Sequence, residues 1–208
     1  MKVLMINGSP HEKGCTYTAL REVAGELEKE GIEVEILHLG NKPIRGCTAC
    51  HACFKPDATG CAFDDGFVNL ALEKAKTSDG FVFGSPVHYA AASGTITSFL
   101  HRFFYAGEGF RGKPGAAIVS CRRAGSTAAL DQLNKYFGIN GMPMVPSQYW
   151  NMVHGSNPDE VRQDKEGMQV MRTLGRNMAW MLKCFELGRL AGIQPPELEE
   201  RQVTNFIR

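Results

Sequence analysis

An apolar run at the very start of the chain, Lys2–Asn7, is followed at once by a loop of small residues and then by a helical pattern. A continuous apolar stretch this short suits a strand buried on both faces, as strands of parallel sheets are. Leu20, Val23, Ala24 and Leu27 then recur at helical spacing over Thr16–Glu30, and Gly31 ends the helix. From Ile32 to Leu37 apolar and acidic residues alternate, as in a strand with one wetter face. That is one βαβ unit, and its crossover is right-handed.

The same alternation continues along the chain. Helices are predicted over Asp65–Lys76, Ser93–Tyr105, Ser126–Phe137 and Lys165–Leu187. Strands are predicted at Gly80–Gly84, Ala116–Ser120 and Met142–Tyr149, the last interrupted by Pro143 and Pro146. Five strands alternating with helices imply a three-layer, doubly wound α/β domain over residues 1–190. Residues 191–208, with Pro195-Pro196 and mixed charge, form a tail that wraps over a neighbour or frays.

Charge excludes some functions. Lys and Arg total 23 against 22 Asp and Glu, so no net field recruits nucleic acid or an anionic membrane. No apolar run reaches the roughly 20 residues that span a bilayer. The N-terminal apolar run is too short for a leader, and Asn7-Gly8-Ser9-Pro10 interrupts it, so a cytoplasmic address is expected.

Two loops carry binding chemistry. Between the first strand and helix, Gly8 to Thr16 offers small residues, free N–H groups at a helix start, and the hydroxyls of Ser9 and Thr16. It lacks both the Lys-Ser/Thr pair of a nucleoside-triphosphate loop and Gly-x-Gly-x-x-Gly, so a monophosphate suits it better than a triphosphate or pyrophosphate. A plain strand-to-helix turn capped by Thr16 is the alternative. After the third strand, Gly84-Ser85-Pro86-Val87-His88-Tyr89 runs on to Gly94, with small residues and an aromatic beside a flat ligand. In a doubly wound sheet both loops lie at the switch point between strands one and three, where ligands bind.

Asn7-Gly8-Ser9-Pro10 with Thr16, and Gly84 to Tyr89 continuing through Gly94 to Phe99-Leu100-His101-Arg102, resemble the NADPH-dependent FMN reductase family of the flavodoxin-like superfamily. The resemblance implies a flavodoxin-like five-stranded parallel sheet of order 2-1-3-4-5 holding FMN. It implies that Ser9, Pro10, Lys13, Cys15 and Thr16 hold the phosphate, and that Ser85, Pro86, Val87, His88, Tyr89 and Gly94 border the flavin ring. A third loop, with Cys121, Arg122 and Arg123, reaches the ring or leaves its arginines in solvent. His88, Thr97 and His101 depart from residues common in that family. Hydride from NAD(P)H enters the flavin and leaves to a small acceptor such as a quinone, nitro compound or free flavin. No acid–base triad is expected, because the chemistry is the cofactor's. A homodimer or homotetramer is also implied, and Trp150 and Asn151 border either the substrate pocket or a subunit interface.

Seven cysteines are present, and four of them, Cys47, Cys50, Cys53 and Cys61, fall in a cysteine-rich loop over 46–62. In a reduced cytosol such crowding indicates metal or redox chemistry rather than structural disulfides. Four thiolates can ligate a 4Fe–4S cluster, and the loop is similar to that of the iron–sulfur flavoproteins. Structural zinc is a rival, as is a cluster-free loop with packed thiols or a redox disulfide. His51 is expected to be exposed. Cys15, at a helix start, is a thiol whose pKa that position can lower; Cys121 and Cys184 read as ordinary thiols. With a cluster, the chain is an electron carrier served by a ferredoxin-like redox protein. A third reading is a flavodoxin-like module that binds without turnover.

Overall fold

A computed structural model describes residues 1–200, 202–204 and 206. The chain order is β1 (Lys2–Asn7), α1 (Cys15–Lys29), β2 (Glu33–His38), a 3-10 turn at Ala52–Phe54, α2 (Val68–Lys76), β3 (Gly80–His88) and β4 (Ala91–Ala92). It continues with α3 (Gly94–Ala106), β5 (Gly115–Cys121), α4 (Ser126–Ile139), β6 (Met152–His154), α5 (Pro158–Gln163) and α6 (Lys165–Leu190). The sheet order is β2-β1-β3-β5-β6, all parallel, and β4 pairs antiparallel with the end of β3. With that two-residue hairpin strand set aside, this is the predicted flavodoxin-like order.

The sheet has two apolar faces, which is why helices cover both. Leu4, Ile6, Phe81, Phe83 and Val119 pack under α2, α3 and α4, while Val3, Met5, Val82 and Ile118 pack under α1 and α6. Alternation along each strand sends neighbouring side chains to opposite layers. The first layer is rich in phenylalanine: Phe83 stacks on Phe137 at 5.5 Å and meets Phe103 edge-on at 5.9 Å.

Several boundaries differ from the sequence expectation. The predicted strand at Met142–Tyr149 pairs with β5 only through a bridge between Gly115 and Met144. Pro143 and Pro146 bring no N–H to the ladder, so the chain leaves the sheet there and rejoins it at Met152. β3 runs four residues past its predicted end, because Pro86 still pairs with Ser120 and Val87 with Ala92. α2 begins three residues later than expected, after Phe67. The helix α5, capped by Asn157 and with Pro158 in its first turn, was not expected. From Ile193 the described residues form no helix or strand, and Arg111 donates to the Pro196 carbonyl at 2.8 Å. The predicted tail lies partly outside the described residues, at 201, 205, 207 and 208. Among the described residues no helix is long and apolar enough to cross a membrane.

An acidic stripe on α1 faces a basic one on α6. Glu22 pairs with Arg172 at 2.5 Å, Glu26 with Arg176 at 2.8 Å, and Glu30 with Lys183. The Glu26 carboxyl is nearly buried, and the Lys29 ammonium, with help from Arg176, holds its pKa below the usual carboxylate range. A depressed folded pKa adds stability that is complete above the unfolded value and is lost as pH falls through the folded one. The chain is therefore expected to lose stability on acidification below the ordinary carboxylate range. Urea unfolding of Glu26→Gln across that range should show lower stability at neutral pH and a shallower acid decline than the unsubstituted chain.

Candidate active site

The carboxyl ends of β1, β3 and β5 open at one edge of the sheet, and three loops meet there. The Gly8 N–H donates to the Gly84 carbonyl at 2.8 Å, tying the first loop to β3. Only glycine fits at position 8, since a Cβ there would stand 2.6 Å from the Ile96 Cβ. Ser93 locks the same corner from the second loop: its hydroxyl donates to the Gly8 carbonyl at 2.8 Å and accepts from the Ile96 N–H, capping α3. The Ser93 N–H in turn donates to the Ser85 Oγ at 2.9 Å. From the third loop, Gly125 takes a left-handed φ of 84°, and a Cβ there would stand 2.9 Å from Val87.

The first loop is organised by its own side chains. Asn7 is fully buried; its Nδ2 donates to the Glu12 carbonyl at 3.0 Å and its Oδ1 accepts from the Ser9 N–H at 3.1 Å. The Ser9 Oγ accepts from the His11 N–H at 3.1 Å, and the Ser9 carbonyl lies 2.8 Å from the His38 Nε2. Thr16 and Ser120, both buried, share a hydroxyl hydrogen bond of 2.8 Å between α1 and β5. At the start of α1, Gly14 offers no capping side chain and the first turn holds no acidic residue. An uncapped helix start with hydroxyls beside it can accept an anion from outside the chain. An anion of the size of a phosphate monoester is the kind of ligand such a cradle can take.

The residues singled out from the sequence divide into two groups. Ser9, Thr16, Ser85, Val87 and Cys121 converge on this edge as buried or half-buried groups. Pro10 is half-buried, while Lys13, His88, Tyr89, Gly94, Arg122 and Arg123 are exposed around it. Tyr89 sits at the hairpin tip with a left-handed φ of 59°, its ring wholly in solvent. Cys15 departs from expectation: burial pushes its thiol pKa up, overriding the helix start, and its Sγ lies 3.6 Å from the Gly155 carbonyl. Burial raises Cys121 as well. His38 was not foreseen, and the motifs that contain Asn7, Ser93 and Ser120 did not reveal the hydrogen bonds these residues make. Ser93 had a signal, since a serine before a helical run is a capping residue; His38 had none. Trp150 and Asn151 border a separate cavity of ≈ 640 Å³, between α4 and the segment that follows Met144.

The four clustered cysteines do meet, and none is in a disulfide. Cys47, Cys50, Cys53 and Cys61 line one pocket, whose wall includes Phe63, Arg102 and Tyr105. Ala49 and His51 adopt left-handed backbone, at φ of 52° and 57°, on either side of Cys50. Left-handed backbone is uncommon outside glycine, so this stretch of the loop has an unusual conformation. The Ala52 N–H, followed by the Thr48 hydroxyl, holds the exposed Cys50 thiol below its ordinary pKa. Burial pushes Cys53 up, and its Sγ donates to the Tyr105 carbonyl at 3.6 Å. His51, exposed as expected, packs against Phe54 at 5.6 Å. Among the described residues no set of three or more His, Cys, Asp or Glu side chains is arranged to hold a single metal ion.

The fold is flavodoxin-like. A flavodoxin from the domain Archaea superposes with a TM-score of 0.60 at 15% identity, over 88% of this chain and 99% of that one. The profile of the NADPH-dependent FMN reductase family matches residues 1–157, and the chain belongs to that family. An iron–sulfur flavoprotein of Methanocaldococcus jannaschii is 31% identical over 89% of this chain and 100% of its own length. Another, from Archaeoglobus fulgidus, is 33% identical over 70% of this chain and 72% of its own. FMN-dependent oxidoreduction is the activity that follows from this membership.

Ser93 is the joint between two of the loops, so its removal should be felt in the fold. Ser93→Ala deletes a helix cap and leaves the buried Gly8 carbonyl without its donor, at a cost of about 1–2 kcal/mol. Denaturant unfolding should show a lower midpoint with an unchanged slope.

Proposed function

We propose that the chain is an NAD(P)H-dependent FMN oxidoreductase that delivers electrons to a small acceptor such as a quinone, a nitro compound or free flavin. The observation that carries this reading is the meeting of three loops at one sheet edge, the first two joined through Gly8, Gly84 and Ser93 and the third lying against Val87 at Gly125. FMN, when bound, would supply the hydride and electron transfer. The protein's part is binding and orientation. The N-terminus of α1, with Ser9, Lys13, Cys15 and Thr16 and their backbone, holds the phosphate, and Pro10 closes the turn. Ser85, Pro86, Val87 and Gly94 bring the second loop against the ring. Cys121, with Arg122 and Arg123, borders it from the third loop. His88 and Tyr89, exposed at the hairpin tip, line the face that donor and acceptor share in turn. The exposed Tyr149 and Trp150 suit a subunit interface of a homodimer or homotetramer.

A second reading rests on the four-thiol pocket and on the relatives named as iron–sulfur flavoproteins. In it Cys47, Cys50, Cys53 and Cys61 hold a 4Fe–4S cluster, and the chain carries electrons from a ferredoxin-like donor. The residues present suit such a group: four free thiols share one partly enclosed pocket, and a cubane spaces its ligand sulfurs more widely than one ion does. Zinc, which needs four thiolates closing on one ion, suits the pocket less well.

Two measurements separate these readings. Purified chain reconstituted with FMN should consume NADPH or NADH steadily once a quinone, nitroaromatic or free flavin is added. If it binds FMN but is reduced only by a low-potential iron–sulfur donor, the carrier reading stands and the first fails; if it takes up no FMN, both fail. Anaerobic absorption with iron and sulfide analysis tests the cysteines. Flavin bands alone exclude the cluster, whereas a broad shoulder with about four irons per chain establishes it. Cys50→Ser should then abolish iron uptake while FMN binding persists.

A further inference from the structure

Arg102 is a charged side chain with almost no contact with water, at 1% exposure. It projects from α3 into the wall of the four-cysteine pocket, about two and a half turns beyond the Ser93 cap. Its Nε donates to the Cys61 Sγ at 3.2 Å and its Nη1 to the Arg45 carbonyl at 3.1 Å. The same guanidinium pairs with Asp65 through Nη1 and donates to the Phe63 carbonyl through Nη2. Every partner lies in the cysteine loop or within three residues of its ends. Burying a guanidinium is costly unless its donors are satisfied, and here residues of the loop and its flanks satisfy them.

Two features separate this arrangement from an ordinary buried ion pair. One donor, Nε, is aimed at a sulfur rather than at a carboxylate. The Asp65 carboxylate is only half matched, since its Oδ1 is buried with no hydrogen-bond partner. The positive charge is therefore shared between Asp65 and the Cys61 sulfur, and Asp65 tempers what reaches the sulfur.

We propose that Arg102 is a positioning residue of the four-cysteine pocket: it fixes Cys61 as the fourth ligand and raises the reduction potential of an iron–sulfur cluster bound there. This inference rests on the 4Fe–4S reading of the pocket. One-electron reduction adds one negative charge to the thiolate-bound cluster and moves no proton. A fixed cation with a hydrogen bond to one ligand sulfur favours the more negative state. Asp65, by the same argument, lowers the potential.

The test is anaerobic reconstitution of the whole chain with iron and sulfide, followed by a dithionite redox titration read by electron paramagnetic resonance. It compares the unsubstituted chain with Arg102→Gln, Arg102→Lys and Asp65→Asn. Arg102→Gln should lower the reduced-to-oxidised ratio at fixed potential about tenfold, which is about 59 mV for one electron. Arg102→Lys, which keeps the charge, should stay nearer the unsubstituted value. Asp65→Asn should move the ratio the other way, a reversal that a merely structural role does not produce. If Arg102→Gln fails to fold, Asp65→Asn and Arg102→Lys decide the question. Loss of iron from Arg102→Gln with FMN affinity intact and iron restored in Arg102→Lys also supports the assignment; joint loss of FMN and iron from both Arg102 variants overturns it. Equal potentials in all iron-loaded chains overturn the inference alone. Failure of the unsubstituted chain to take up iron overturns the cluster reading and the inference with it.

Discussion

The parallel pairing of β1 with β2 on one side and β3 on the other is the constraint on which the rest of the structure depends. Val3, Leu4, Met5 and Ile6 are fully buried there, so both faces of the strand must be covered by helices. A parallel neighbour on each side forces the chain to leave β1 one way and return on the other. The turn after Asn7 and the turn after β3 are thereby brought face to face, and the hydrogen bond from Gly8 to Gly84 records their meeting. The cradle at the start of α1 is a consequence of strand order before it is a property of any one residue.

That logic explains which parts of the fold were legible in the sequence. β1, the first part of β3, and β5 are short apolar runs buried on both faces, and such runs announce themselves. α1 and α6 were legible because each packs one face, and their apolar residues repeat at the helical period. β6 was hidden because Pro143 and Pro146 mark the segment that leaves the sheet, whereas Met152–His154 is too short to show a pattern. The extension of β3 was hidden for another reason. Ser85-Pro86 has a loop's composition, yet the extended backbone that proline favours carries the strand onward beside Ser120.

The site divides along a similar line. Residues carried by local chemistry, such as Ser9, Thr16 and the clustered cysteines, could be picked out because spacing along the chain reflects spacing in the fold. Contacts across the chain could not. Arg102 stands 41 residues from Cys61, and nothing in either neighbourhood signals the other. His38 reaches Ser9 only because β2 lies beside β1. The expected effect of the helix start on Cys15 was outweighed by burial, which depends on the loop at Gly155 and so on the far end of the chain.

The helix α3 joins these two worlds. Its cap at Ser93 belongs to the cradle, while Arg102 and Tyr105 belong to the cysteine pocket. An α-helix advances about 1.5 Å and turns about 100° per residue. The two sites are therefore locked in phase as well as in distance, like marks cut on a single shaft. One residue inserted between Gly94 and Arg102 would leave the cradle in place yet swing the guanidinium roughly a quarter-turn off the sulfur. Loops elsewhere in the chain can lengthen at little cost, but this segment must keep its count.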